Sequence, residues 1–243
     1  MKALILAAGE GQRLRPLTLS RPKPMLPVAG RPLLEHIVTL LRHHGITQQA
    51  INLHYKPQTI VSHFGNGQQW GVQITYSFEQ QLLGSAGAAK KLHWFLDQTF
   101  VVFYGDLYTD LNLRRLLDFH RRHNALATVA LYEVSNPTAC GIVDLDARQR
   151  IRRFVEKPAP EEVFSNLANA GVYVLEPAVL SFVPSGSPFD FGHDLFPTLL
   201  DVGLPLLGYP IQESLIDIGT MEKYLALQRY YQLQPQEAMI PTV

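Results

Sequence analysis

Ala3-Leu-Ile-Leu-Ala-Ala-Gly-Glu-Gly-Gln-Arg-Leu-Arg-Pro16 stands at the head of the chain. Ala3–Ala8 is short, continuously apolar and ended by glycine, the pattern of a buried strand. Gly9 and Gly11 follow. From Gly11 to Leu34 the chain carries Arg13, Arg15, Arg21, Lys23 and Arg31 and no acidic residue. Uncompensated positive charge beside a glycine turn at a strand end suits a bound polyphosphate, because glycines let backbone N–H groups approach phosphate oxygens. Pro16, Pro22, Pro24 and Pro27 stiffen the stretch, which a passive solvated loop does not need.

Beyond this segment, strands and helices alternate. Pro32–His43 reads as a helix with an apolar face of Leu33, Leu34, Ile37, Leu40 and Leu41, stopped by Gly45. Ile51–His54, Val72–Tyr76, Phe100–Tyr104 and Thr128–Tyr132 read as strands. Thr59–Phe64, Ala86–Phe95 and Leu113–His123 read as helices. This spacing predicts an α/β layer fold with a largely parallel central sheet. In the second half, Ile142–Asp144 with Ile151–Glu156 reads as a hairpin and Gly171–Leu175 as a further strand, so the sheet is expected to be mixed.

Composition narrows the class. The 243 residues are 47% hydrophobic, enough for one substantial core or two small ones. The formal charge of zero disfavours nucleic acid as a ligand; the positive charge is local and suits a small anion. Cys140 is the only cysteine, which excludes an intramolecular disulfide and fits a reducing compartment. The first apolar run is too short for a secretory leader, and no segment approaches membrane-spanning length. A cytoplasmic protein with small-molecule partners, and with neither nucleic acid nor membrane among them, is expected.

The glycine turn is neither of the two common phosphate loops. A dinucleotide fingerprint needs glycine where Leu14 stands and a helix where Pro16 stands, and no Gly-Lys-Ser/Thr follows. The longer string Gly9-x-Gly-x-Arg-Leu-Arg-Pro-Leu-Thr18, followed by Pro22-Lys-Pro24, is far more specific. With Arg21–Val28, Leu83–Gly87, Tyr104–Asp106, Phe154–Pro158, Asn169–Gly171 and Asp217–Thr220 it resembles the sugar-1-phosphate nucleotidyltransferases. The matching pieces occur in the family's order to about Arg229. Within the family the chain is most similar to mannose-1-phosphate and heptose-1-phosphate guanylyltransferases, and Phe189–Pro197 looks like theirs as well.

The resemblance implies a three-layer α/β/α, Rossmann-like (GT-A-like) fold with a mixed, mostly parallel sheet. It implies one domain over residues 1–231, with a nucleotide-binding N-terminal half and a sugar-phosphate-binding C-terminal half. Residues 232–243 are expected to be a loosely held tail. Because longer relatives carry an added C-terminal domain, a chain ending at Val243 is expected to be a stand-alone catalytic domain. The implied reaction joins an NTP to a sugar 1-phosphate with release of pyrophosphate, GTP and mannose 1-phosphate being the first expectation. Heptose 1-phosphate, and UTP, dTTP or CTP as donors, stay open.

Each site residue carries an expected role on the same ground. Arg15 would grip the triphosphate with its paired donors and Lys23 would act as a point charge near the α-phosphate, both with Asp106 as the catalytic set. Asp106 and Asp217 would hold Mg²⁺, a hard cation suited to carboxylate and phosphate oxygens. Read alone, each is more commonly a strand-ending turn residue. Leu6, Ala8, Gly9, Gly11, Gly84 and Ser85 would contact the nucleotide, with Glu79 or Gln81 reading the base edge. Gly141, Glu156, Lys157, Asn169 and Gly171 would form the sugar-phosphate side. Cys140, Leu82 and Leu215 depart from residues frequent in the family.

Two other classes compete. A non-catalytic nucleotide-sugar-binding subunit would tend to lose a phosphate cation or a metal acid, yet Arg15, Lys23, Asp106 and Asp217 are all present. A glycosyltransferase would carry Asp-x-Asp where this chain has Gly105-Asp-Leu-Tyr108. The nine histidines are expected at surfaces and caps. Tyr230-Tyr231 is expected in the core or on a self-association face, which leaves a homo-oligomer open.

Overall fold

A computed structural model describes residues 1–233. In chain order the elements begin with β1 (Lys2–Leu6), β2 (Pro27–Val28), β3 (Arg31–Pro32), α1 (Leu33–His43), β4 (Gln48–Leu53), α2 (Pro57–Phe64) and β5 (Gln73–Phe78). Then come α3 (Gly84–Lys91), β6 (Phe100–Tyr104), β7 (Leu107–Thr109), α4 (Leu113–Arg122), β8 (Ala127–Glu133), β9 (Gly141–Leu145) and β10 (Ile151–Glu156). The last are β11 (Leu167–Leu175), α5 (Phe196–Asp201), β12 (Leu206–Pro210), β13 (Leu215–Asp217) and α6 (Met221–Leu233). The expected tail falls outside the described residues from 234 onward; residues 232 and 233 complete α6. Among the described residues no helix is long and apolar enough to cross a membrane.

The chain divides into two compact units, each assembled from separated stretches. The first comprises Met1–Lys2, Leu82–Val102 and Asn112–Gln212; the second comprises Ala3–Gln81, Phe103–Leu111 and Glu213–Val243. In the first unit β9 and β10 form the predicted hairpin, β11 runs antiparallel to both β8 and β9, and β12 runs parallel to β8. Tyr173, Phe191 and Phe196 form the aromatic centre of this unit, with Tyr173 and Phe196 rings 5.0 Å apart edge to face. Such pairs add to the burial of their area.

In the second unit β1, β4 and β5 are neighbours in that order, and β4 runs parallel to β5. The amphipathic α1 buries Leu33, Leu34, Ile37, Val38, Leu40 and Leu41. Two antiparallel ribbons complete it, β2 with β3 and β7 with β13. Leu14, Leu26, Val28, Leu33, Ile218, Tyr224, Leu227 and Tyr231 make one buried cluster. That cluster ties the cation-bearing loop of residues 11–28 to the β13 strand and to α6.

The sheet is mixed, as the sequence implies. Several predicted elements run longer than expected: β4 begins at Gln48 and β11 at Leu167. In β11 the register shifts between Asn169 and Tyr173, so the irregularity around Gly171 conceals one continuous strand. Two histidines are corrections to the surface expectation. His36 is buried, with Nε2 2.9 Å from the Val28 carbonyl oxygen, and desolvation lowers its pKa to about 4 despite that bond. His120 is buried between Thr128 Oγ1 at 2.8 Å and Glu176 Oε1 at 3.2 Å. Hydrogen-bonded partners make such burial tolerable. Tyr231 is buried and Tyr230 is exposed.

Candidate active site

In the second unit the loop after β1 is shaped around Lys23. Gly11 has φ +65°, and a Cβ there would lie 2.9 Å from Cβ of Lys23 and 3.0 Å from Cγ2 of Thr18. Gly11 is therefore required twice, by its left-handed backbone and by the close approach of the lysine. Thr18 Oγ1 donates to the Gly11 carbonyl at 2.9 Å, and Tyr55 OH donates to the Thr18 carbonyl at 2.9 Å. Gly9 has open space around it.

The acids arrive from the β7–β13 ribbon. Gly105 N–H donates to the Leu6 carbonyl at 2.9 Å, and a Cβ on Gly105 would lie 2.7 Å from that oxygen, so only glycine lets the end of β6 pass so close to β1. Asp106 follows immediately. Asp217 pairs with Leu107 across the ribbon, and Ile218 N–H donates to the Asp106 carbonyl at 3.1 Å. Lys23 Nζ lies 2.5 Å from Asp106 Oδ2 and 3.8 Å from Asp217 Oδ1. Lys223 Nζ lies 3.0 Å from Asp217 Oδ2. Two carboxylates and two ammonium groups thus balance within one small region. The two acids remain 29% and 31% exposed while Lys23 is 11% exposed, so the lysine is the sequestered member.

Arg15 lies apart from this cluster. Its side chain is 51% exposed and its only ion pair among the described residues, with Glu10, is at 3.7 Å. A planar guanidinium so weakly engaged is available to a ligand. Leu6 and Ala8 mark the end of β1, with the Ala8 carbonyl accepting from Tyr55 N–H at 3.4 Å. Glu79 is buried, and Asn52 Nδ2 donates to its Oε1 at 2.9 Å. Asn52 Oδ1 in turn accepts Ala7 N–H at 2.7 Å, so β1 and the Glu79 carboxylate share one amide. Gln81 is exposed.

The remaining predicted residues belong to the first unit. Glu156 closes β10 opposite Gly141. A Cβ added to Gly141 or to Gly192 would meet Glu156 Oε2 at less than 3 Å, so the carboxylate sits in a slot walled by two glycines. Burial raises the Glu156 pKa, the charges of Lys157 and His193 oppose the rise, and Asp190 adds to it. Lys157 has φ +49° and donates its N–H to the Cys140 carbonyl at 3.0 Å, and its side chain is exposed. A left-handed lysine is uncommon, and such backbone clusters at functional sites. Asn169 shapes the β11 bulge: Oδ1 accepts Gly171 N–H and Nδ2 donates to Tyr173 OH, both at 2.9 Å. Gly171 has φ +72°.

Gly84 and Ser85 begin α3 in the same unit. Ser85 N–H and Oγ–H both donate to Asp190 Oδ1 at 2.9 Å, while Ala86 and Gly87 N–H groups donate to the Phe189 carbonyl. Sequence reasoning missed Asp190, Gly192, Asn52, Thr18, Lys223 and Gly219, the last clearing a Cβ that would crowd the Asp217 carboxylate at 2.8 Å. Asp190, Gly192 and Asn52 act through partners distant in sequence, and Thr18, Lys223 and Gly219 act through partners within seven positions that only the folded loop and ribbon define.

A family model described as "Nucleotidyl transferase" matches residues 2–234. The chain belongs to the nucleotidyl transferase family. The chain is 42% identical over 238 residues to a UTP–glucose-1-phosphate uridylyltransferase of Synechocystis, and 38% identical over 225 residues to a mannose-1-phosphate guanylyltransferase of Mycobacterium tuberculosis. Each alignment covers 92% of this chain and 61% or 62% of the relative, so the chain spans a little over three-fifths of the length of the curated relatives it matches. Among solved structures, a Bacillus anthracis protein assigned as a glucose-1-phosphate thymidylyltransferase, crystallised with sucrose, superposes with a TM-score of 0.86 at 27% identity. The match covers 95% of this chain and 94% of the other.

Proposed function

We propose that this nucleotidyl transferase joins an NTP to a sugar 1-phosphate and releases pyrophosphate. The observation that carries this reading is the placement of Lys23 between Asp106 and Asp217 in a chain whose named relatives act on sugar 1-phosphates. A phosphate oxygen of the sugar phosphate attacks the α-phosphorus as the bond to the pyrophosphate oxygen breaks, so no protein nucleophile is needed. The protein's tasks are to hold two polyanions and to offset the charge that develops on the leaving group. Lys23, seated by Gly11, supplies a positioned ammonium for the α-phosphate. Arg15 supplies an exposed fork for the departing phosphates. Glu156 accepts from sugar hydroxyls, and Lys157 grips the sugar's phosphate.

Magnesium fits the donor set. Asp106 and Asp217 offer hard oxygens, are partly open to solvent, and among the described residues are joined by no third His, Cys, Asp or Glu ligand. Mg²⁺ is commonly held by one or two carboxylates plus substrate phosphates, the remaining positions staying with water. Bound there, it would neutralise charge on the leaving pyrophosphate.

For the substrates, GTP with mannose 1-phosphate is the first reading, supported by the likeness to several mannose-1-phosphate guanylyltransferases. UTP with glucose 1-phosphate is the second, favoured by the 42% identity to the Synechocystis uridylyltransferase. Pyrophosphate release measured for GTP, UTP, dTTP, CTP and ATP against mannose, glucose and heptose 1-phosphates, with Mg²⁺, separates them. Fastest turnover of GTP with mannose 1-phosphate supports the first reading and fastest turnover of UTP with glucose 1-phosphate the second. No release from any pairing overturns the proposed activity.

A further inference from the structure

The first unit contains a short segment, Phe189–Asp194, that touches two of the predicted substrate regions at once. On one side it closes the start of α3. Asp190 Oδ1 accepts both Ser85 N–H and Ser85 Oγ–H, Ser85 Oγ accepts Phe191 N–H at 2.9 Å, and Phe189 N–H donates to the Leu83 carbonyl at 2.9 Å. Gly84, at φ +71°, is needed because a Cβ would lie within 3 Å of the Phe189 backbone. The N–H groups of Ser85, Ala86 and Gly87 are therefore satisfied by this chain itself, and what that part of the turn presents to a nucleotide is a shape held by Asp190. On the other side, two residues along, Gly192 walls the Glu156 carboxylate, a Cβ there lying 2.7 Å from Oε2. Phe191–Leu195 is a π-turn, an uncommon conformation that recurs at functional sites. Asp194 Oδ2 fixes its start by accepting Asp190 N–H at 2.7 Å.

We infer that Asp190 and Gly192 are positioning residues for the two substrates: Asp190 acts through Ser85 on the nucleotide side, and Gly192 acts through Glu156 on the sugar side. The inference rests on the proposed transfer reaction. A carboxylate accepting two hydrogen bonds holds more firmly than a neutral acceptor, and its loss would leave the buried Ser85 donors unpaired. Gly192 is not in the left-handed region, so alanine there is compatible with the backbone; its Cβ would crowd the Glu156 carboxylate at 2.7 Å and touch the Phe154 ring at an ordinary 3.4 Å. One segment thus carries two separable effects.

The test uses Asp190→Ala, Asp190→Asn and Gly192→Ala, assayed with the NTP and sugar 1-phosphate pair that the unaltered protein turns over fastest. Asp190→Ala should raise KM for the NTP roughly tenfold or more with KM for the sugar phosphate little changed, the loss expected for removing a charged hydrogen-bond partner. Asp190→Asn keeps an acceptor oxygen for Ser85 and should restore KM to within about threefold. Gly192→Ala should show the opposite split, raising KM for the sugar phosphate. Hydrogen exchange of the Ser85, Ala86 and Gly87 amides, read without substrates, should speed up in Asp190→Ala and stay unchanged in Gly192→Ala. Variants that lower Tm but leave both KM values unmoved, or move both equally, would overturn the inference while leaving the transfer activity standing. Unchanged exchange at residues 85–87 in Asp190→Ala would overturn the Asp190 half even if the unaltered protein released no pyrophosphate, the outcome that defeats the activity itself.

Discussion

The carboxylates of Asp106 and Asp217 meet lysines, whereas the carboxylate of Glu156 meets glycines. In the second unit Lys23 and Lys223 supply opposite charge within 3.8 Å, and the acids stay partly open to solvent. In the first unit Gly141 and Gly192 supply room and no donor, and burial raises the Glu156 pKa. The first arrangement suits exchange of one cation for another, since ions held by mutual attraction at a half-open surface can be substituted. The second suits the hydroxyl groups of a ligand, which complete a partly desolvated carboxylate without having to displace a resident charge.

The contrast can be broken most severely at the paired acids. Asp106→Asn and Asp217→Asn are each expected to cut pyrophosphate release by about a hundredfold or more, since both remove charge from the site proposed to stabilise the leaving group. Circular dichroism should show both folded, and full activity in both would defeat the two-carboxylate site. Lys157→Ala tests the other centre: KM for the sugar phosphate should rise roughly tenfold, the size of one charge-assisted contact, with KM for the NTP steady. A selective loss of NTP affinity instead would transfer Lys157 to the other substrate.

Gly11→Ala probes how the lysine is seated. Its left-handed backbone and the contact with Lys23 should together lower stability by about 1–3 kcal/mol, measured by urea denaturation. A stability equal to wild type would show that the loop is not built around that contact.

The smallest effect concerns pH. A carboxyl whose folded-state pKa is raised contributes stability that is fully present below its ordinary value, about 4.5, and that is lost as pH rises through the folded value. Glu156→Gln should therefore raise Tm at pH 7 and lose that advantage as pH falls below about 4.5. An equal gain at both pH values would mean that packing, and not ionisation, sets the difference.

Much of this was legible in the residues. The strand–glycine–arginine string placed the loop after β1, and Phe100–Tyr104 was readable as a strand because five apolar residues end in Gly-Asp. The two acids were singled out by the resembling motifs, since an Asp that ends an apolar run beside Gly is by itself more often a turn residue. What brings them together was not legible, because β7 and β13 have three residues each, too few for any periodicity, and pair across more than a hundred residues. His120 shows a second limit. It continues the helical spacing of Leu113, Leu116 and Leu117, so the core-facing position was readable, but the partners that make burial acceptable, Thr128 and Glu176, were not. Asp190 was visible only within a resembling stretch, and its bond to Ser85 spans 105 positions.

Tyr224, Leu227 and Tyr231 of α6 form part of the wall against which Leu14 and Leu26 pack. That wall is among the last described parts of the chain to leave the ribosome. The cation-bearing loop completes its hydrophobic seat only once α6, far along the chain from it, has been made. A nascent chain truncated before α6 would expose a basic, proline-rich hook with its leucines in water.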